Sequence, residues 1–291
     1  MSTSSPFMPK KNHEVIEMYT KEFFINEFKR LGFKETDTVF VHSSYKKIAG
    51  DVGIENKADT IIDAFVEYFG QKGLVVFPAM SWMMGYLVND KGGLRDPALG
   101  PAEGFREYGN HFDVRTTPCH SLGIIPEIFR QREGVVRSIC PCSSVAAYGP
   151  DAKEFCSGHE YAQTPLNWNS PWGKLYDRKA KIFFVGTGMG CNTFMHVLEE
   201  RANVPGILTP YIWKYTATDY DGKVWDIAFR RHEPGHNHYY SKIEPELVEQ
   251  GIVKRVKFAS ADCHIVDAVA EADYMFKRLT EEPTLFMHEY N

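Results

Sequence analysis

The sequence predicts an α/β fold: a central mixed, partly parallel sheet flanked by helices, with an additional smaller β-rich part. Three observations predict it. Two short apolar runs, residues 38–41 and 74–77, stand on either side of one amphipathic helical stretch, residues 58–69. A third apolar run, residues 181–185, opens into glycines and another helical stretch. Beyond Pro205 the pattern turns β-like at residues 212–218 and 224–229.

The elements follow in order. Residues 1–13 are polar, carry Pro6 and Pro9, and are expected to be a disordered start; residues 14–291 are expected to form a single domain. A first helix over 21–31 has Phe23, Phe24, Phe28 and Leu31 on one side and stops at Gly32. Residues 42–53 form a polar, Gly-containing loop. The stretch 58–69 sets Ile61, Ile62, Phe65, Val66 and Phe69 at helical spacing before Gly70, and Pro78 ends the run 74–77. Two buried strands around one helix imply a parallel pair with a right-handed crossover. Residues 90–118 are rich in Gly and Pro and read as a long loop. A short helix is expected over 122–130, and residues 135–138 and 145–146 flank a Pro/Cys/Ser turn. A helix over about 193–202 follows the third strand. Further helices are expected near 242–250 and 265–279.

Composition limits the function. Of 291 residues, 43% are hydrophobic and 24% charged, enough apolar material for a large enzyme core. The net charge of −5 and the absence of a Lys/Arg block argue against nucleic acid as a partner. No apolar run approaches the roughly 20 residues of a membrane span, and no signal-peptide core precedes the domain. The six cysteines lack framework spacing and read as reduced thiols in a cytoplasm. A homo-oligomer is left open.

Several constellations could carry chemistry. His196 and Glu199 stand three apart on an expected helix, so they face one side. A carboxylate there can orient the imidazole and stabilise its protonated form, as a general base needs; a surface i,i+3 pair is the plainer reading. His42, Ser43 and Ser44 leave the first strand, where backbone N–H groups can hold phosphate or an amide, with Lys46 and Lys47 beside them. Ser81 follows the second strand without a nucleophile-elbow motif, so a hydrogen-bond donor is the expected role. Gly186, Gly188 and Gly190 do not make a dinucleotide fingerprint. His232, Glu233, His236 and His238 invite a metal reading and with it a metal-dependent hydrolase, but Pro234 and Gly235 forbid a ligand-presenting helix. No metal is expected.

The ordered landmarks resemble the antibiotic acetyltransferase family, typified by aminoglycoside 3-N-acetyltransferases and including sugar-nucleotide N-acyltransferases. The resemblance runs from about Thr38 to the C-terminus. It rests on Val41-His42-Ser43-Ser44, Phe77-Pro78 with Ser81, Phe112-Asp113, Leu122-Gly123, Arg137-Ser138, Ser144 to Gly149, Ser170-Pro171, and Asn192-Thr193 with His196 and Glu199. It implies an acyl-CoA such as acetyl-CoA as co-substrate, an amine acceptor, and His196 backed by Glu199 as general base. It further implies direct attack in a ternary complex and contact of coenzyme A with His42, Ser43 and Ser44; Lys46 and Ser144 are expected to add to that contact and the Ser81 hydroxyl to assist catalysis. Cys140 replaces a usual His, and Asn167-Trp168-Asn169 replaces a usual Gly-Glu-Gly. These departures fall in segments expected to face the ligands, and they widen the acceptor from an aminoglycoside to a nucleotide-linked amino-deoxy sugar.

Overall fold

The structure is a computed structural model that describes residues 18–91, 93–95, 97–232 and 236–286; the expected disordered start lies outside them. Its elements in chain order are α1 (Lys21–Arg30), β1 (Thr38–Ser43), α2 (Tyr45–Ala49), α3 (Ala58–Phe69), β2 (Leu74–Pro78), β3 (Leu87–Asn89), β4 (Leu94–Arg95), β5 (Phe105–Glu107) and β6 (His111–Asp113). Next come α4 (Ile124–Phe129), β7 (Val136–Arg137), β8 (Val145–Tyr148), α5 (Ala152–Cys156), α6 (Lys174–Asp177), β9 (Lys181–Val185) and α7 (Phe194–Arg201). The last are β10 (Trp213–Thr218), β11 (Val224–Phe229), α8 (Glu244–Glu249), β12 (Val253–Phe258), β13 (Ala261–Asp267) and α9 (Ala268–Glu281).

Among the described residues the main sheet has seven strands in the order β12-β13-β9-β1-β2-β8-β7. β1 runs parallel to both β2 and β9, and the outer pairings are antiparallel. Strand alternation divides the core. Val39 and Val41 of β1 face the layer of α1, α3 and α4, where Phe28 packs against Phe65 and Phe258. Phe40 faces the other layer with Trp172 and the apolar sides of α7 and α9. Each such ring contributes on the order of 1.5–3 kcal/mol by leaving water.

This layering places the site. From β1 the chain crosses to β2 on one side, while β9 lies on the other and leads to α7 on the opposite face. The chain therefore turns to opposite faces of the sheet after β1 and after β9, and the C-terminal ends of such a strand pair are the usual ligand position in open α/β sheets. Two small three-stranded sheets, β11-β10-β6 and β4-β3-β5, form the additional β-rich part.

Three expectations need correction. Residues 42–53 are not one loop, because β1 runs on to Ser43 and α2 spans Tyr45–Ala49. Residues 90–118 are not one loop, because β4, β5 and β6 lie within them; strands of two or three residues broken by Gly and Pro show no alternation to read. The helix expected over 265–279 starts at Ala268, since Ile265–Asp267 complete β13. Asp267 accepts from the Val269 and Ala270 amides and so caps α9.

Candidate active site

β9 stops where Gly186 takes φ +69°, and a Cβ there would lie 2.5 Å from the Lys47 Cβ, so only glycine fits this turn. A 3-10 turn over Met189–Cys191 then feeds α7. Phe194, Met195, Val197 and Leu198 are buried and fix the helix to the sheet. This leaves His196 on the side facing the 3-10 segment His236–Ile243, partly open to solvent, with the buried Glu199 on the next turn.

The structure adds Tyr240 to this pair. Its hydroxyl donates to Glu199 Oε2 and lies 2.5 Å from His196 Nδ1, while Nδ1 and that Oε2 are 3.5 Å apart. Burial, and then the neighbouring Glu199, hold the Tyr240 phenol well above its ordinary pKa, so its proton stays on oxygen. With that proton given to Glu199, the phenol oxygen must accept from Nδ1–H. The hydrogen-bond pattern thus assigns the Nδ1–H tautomer to neutral His196 and leaves the lone pair on Nε2. A carboxylate, a phenol and an imidazole in line can take up a proton at Nε2.

His232 stands against this group, its ring centroid 4.8 Å from that of His196. Its Nε2 lies 3.6 Å from Glu200, whose carboxyl accepts from Thr164 and is raised above the usual range by burial. Among the described residues no cluster of three His, Cys, Asp or Glu is placed to hold a metal. Residues 233–235 and the side chains of 236–238 lie outside the described set.

The β1 loop borders the same edge. His42 pairs in register with Phe184, and its carbonyl lies 3.5 Å from the Thr187 hydroxyl, which can donate to it. Its ring is buried, stacks on Phe184 at 5.0 Å, and burial pushes it down to about 3; it is neutral and cannot meet a phosphate by charge. His42 Nε2 and Ser43 Oγ are buried with no hydrogen-bond partner among the described residues. Such orphaned groups at the C-terminal end of β1 fit a polar ligand. The Ser44 amide donates to Val185 O, and Lys46 and Lys47 are exposed.

Two expected site residues are corrected. Ser81 is fully buried and donates to Pro118 O at 2.6 Å, so it has no proton for a ligand. Ser144 is equally buried and donates to Ala79 O at 2.6 Å. Both also accept from Arg137, a buried cation that donates in addition to Ala79 O and Thr117 O and lies over the Phe112 ring at 4.6 Å. The altered segments are partly packed, with Asn169 exposed. Cys140 is buried beside Cys142, Asn167 accepts from the Asn169 amide, and Trp168 packs on Tyr176 and Phe276.

Comparison with known proteins sets this geometry in a family. The sequence model described as aminoglycoside 3-N-acetyltransferase matches residues 40–280. The chain belongs to the aminoglycoside 3-N-acetyltransferase family. Membership makes it an N-acyltransferase, which displaces the reading as a metal-dependent hydrolase. The SPbeta prophage-derived aminoglycoside N(3')-acetyltransferase-like protein YokD of Bacillus subtilis (strain 168) is 25% identical over 89% of this chain and 91% of its own length. Aminoglycoside N(3)-acetyltransferase VIII of Streptomyces fradiae is 24% identical over 86% and 87%. Among solved structures, YokD from Bacillus subtilis gives a TM-score of 0.76 at 24% identity, covering 92% of this chain and 95% of that one. AAC-IIIb in a binary complex with CoASH gives 0.74 at 24%, covering 91% and 97%. These likenesses bear out the fold of a 3-N-acetyltransferase.

Proposed function

We propose that this acyltransferase moves an acyl group from an acyl-coenzyme A to a primary amine of an aminoglycoside-type amino sugar, with His196 as general base. The observation that carries the proposal is the line Glu199–Tyr240–His196, which engages Nδ1 and leaves Nε2 as the nitrogen that can take up a proton. An ammonium has no lone pair. Nε2 takes a proton from the amine as the amine nitrogen bonds to the thioester carbonyl carbon. The imidazolium that forms is stabilised through Tyr240 by Glu199. The tetrahedral intermediate then expels the coenzyme A thiolate. A thioester needs no covalent activation, and Ser81, buried with its proton engaged, offers no acyl-enzyme route.

Ser43 Oγ and His42 Nε2 would meet the polar groups of the pantetheine arm, Gly188 has open space where a side chain would stand, and Lys46 and Lys47 would meet phosphates as exposed charges. Millimolar coenzyme A is therefore expected to raise the melting temperature. A ligand at 100 times its Kd adds about 2.7 kcal/mol, several degrees for a chain of this size. An unchanged melting curve would speak against this site.

Tyr240→Phe is expected to lower kcat roughly 10- to 100-fold, the effect of leaving the buried Glu199 without its donor, while KM for acyl-CoA changes little. Steady-state kinetics with saturating acyl-CoA checks it.

The acceptor is argued from the relatives, whose names give aminoglycosides. Of the departures that widened the acceptor to a nucleotide-linked sugar, Cys140 and Trp168 are taken up by packing, while Asn169 is exposed. Expression in an aminoglycoside-sensitive bacterium tests this: protection is the expected result. No protection, together with acylation of a nucleotide-linked amino-deoxy sugar by the purified enzyme, would assign that acceptor instead.

A further inference from the structure

The turn that leads into α7 holds a second buried polar pair. Asn192 and Glu271 are both fully buried, and Asn192 Nδ2 donates to Glu271 Oε1 at 2.7 Å. The other two atoms of the pair, Asn192 Oδ1 and Glu271 Oε2, are buried without a partner among the described residues. An ionised carboxylate only accepts, as does an amide oxygen, so an ionised Glu271 would leave two buried acceptors and a buried charge uncompensated. A protonated carboxyl resolves both at once, because its O–H can donate to Asn192 Oδ1.

We propose that Glu271 and Asn192 form a closed carboxylic acid–carboxamide pair that pins the turn before α7 and thereby positions His196. Ala268, Ala272 and Met275 surround Glu271 on its own helix, and full burial raises its carboxyl to about 8, with no charge of either sign contributing. Of the titratable groups on the elements packed against α9, Asp177 of α6 is exposed, Arg201 of α7 lies over the Trp168 ring, and Glu246 of α8 pairs with Tyr274 and Arg278. Tyr176 of α6 donates to Asp273, and Lys174 of α6 donates to the carbonyls of Glu154, Phe155 and Ser157. Asp267 of β13 caps α9, His264 of β13 faces Glu244, and on α7 Glu199 and His196 bind Tyr240 while Glu200 binds Thr164. Asn192 lies four residues before His196, its amide donates to Met189 O, and its carbonyl accepts from the Met195 amide. Holding its side chain to α9 therefore fixes the angle at which the helix leaves the sheet edge.

The positioning role rests on His196 as the base; the protonation state of the pair does not. A carboxyl whose folded pKa is about 8 and whose unfolded value is 4.5 binds more protons when folded, so wild-type stability falls as pH rises from about 4.5 to about 8 and levels off above that. Glu271→Gln keeps a donor and an acceptor in the same shape and does not titrate. The test compares melting temperature from pH 5 to 8.5, and kinetics at pH 7.5, for wild type, E271Q and E271A. E271Q should match wild type at pH 5, exceed it by at least about 2 °C at pH 8, and keep full kcat. E271A should lose roughly 10- to 100-fold in kcat with KM for acetyl-CoA nearly unchanged. If E271Q is instead destabilised at pH 8, Glu271 works as an anion and the pair is wrong, whether or not E271A folds. If E271Q gains stability but H196A retains activity, the pair stands and the base assignment fails.

Discussion

His196→Ala is expected to lower kcat by roughly 10²–10⁴-fold while acyl-CoA binding stays nearly intact. The imidazole has only Nε2 left for the substrate's proton, because Nδ1 is bound to Tyr240. Removing the ring removes the imidazole that Tyr240 and Glu199 hold in place to take up a proton. Glu199→Gln should lose less, since the amide can still bind the Tyr240 hydroxyl and hold the ring, though without the charge that stabilises the imidazolium. A helix-surface pair with no part in catalysis would give another outcome: about half a kcal/mol in stability and no change in rate. A folded H196A that keeps more than about a tenth of wild-type kcat would sink the assignment and send attention to His232 and Glu200.

Arg137→Ala is expected to cost about 3–5 kcal/mol of stability and on the order of 10 °C in melting temperature. Burial pulls the guanidinium down to about 10, so it is still charged at neutral pH. It has no carboxylate partner among its hydrogen bonds. Its charge is held by Ala79 O, Thr117 O and the hydroxyls of Ser81 and Ser144, with the Phe112 ring against it. Truncation would strand these buried acceptors together. It would also loosen β6, which carries Phe112, from the ends of β2 and β8, and so detach the small sheets from the main one. Arg137→Lys should recover only part of the loss, since an ammonium cannot reproduce the fork. A calorimetric melting temperature for R137A within about 2 °C of wild type would contradict this role.

What could be read in the sequence follows from how local its cause is. Ile61, Ile62, Phe65 and Phe69 repeat at helical spacing and end at Gly70, and α3 has those limits. The apolar runs of β1, β2 and β9 are buried on both faces, so their composition alone announces them. β12 escaped because it is the outer strand of the main sheet, and Lys254, Arg255 and Lys257 interrupt its apolar residues. Its partner β13 runs straight into α9, and only the Asp267 cap marks the join. At the site, His196 and Glu199 were legible because three residues along a helix is a local relation. Tyr240 was not, since it reaches them from 41 residues beyond Glu199. Ser81 and Ser144 misled for the opposite reason: position in the chain placed their backbones at the sheet edge but did not reveal that Arg137 turns their hydroxyls inward.

The most direct test of acyl transfer to an amine is the release of free coenzyme A thiol by the purified enzyme with saturating acetyl-CoA, followed with and without an aminoglycoside. Direct attack within a ternary complex predicts thiol release that depends on the amine, one thiol for each acetyl group found on the acceptor by mass spectrometry, and no burst before acceptor is added. Thiol release at the same rate without any amine, or a stoichiometric burst that leaves the acetyl group on the protein, would contradict it.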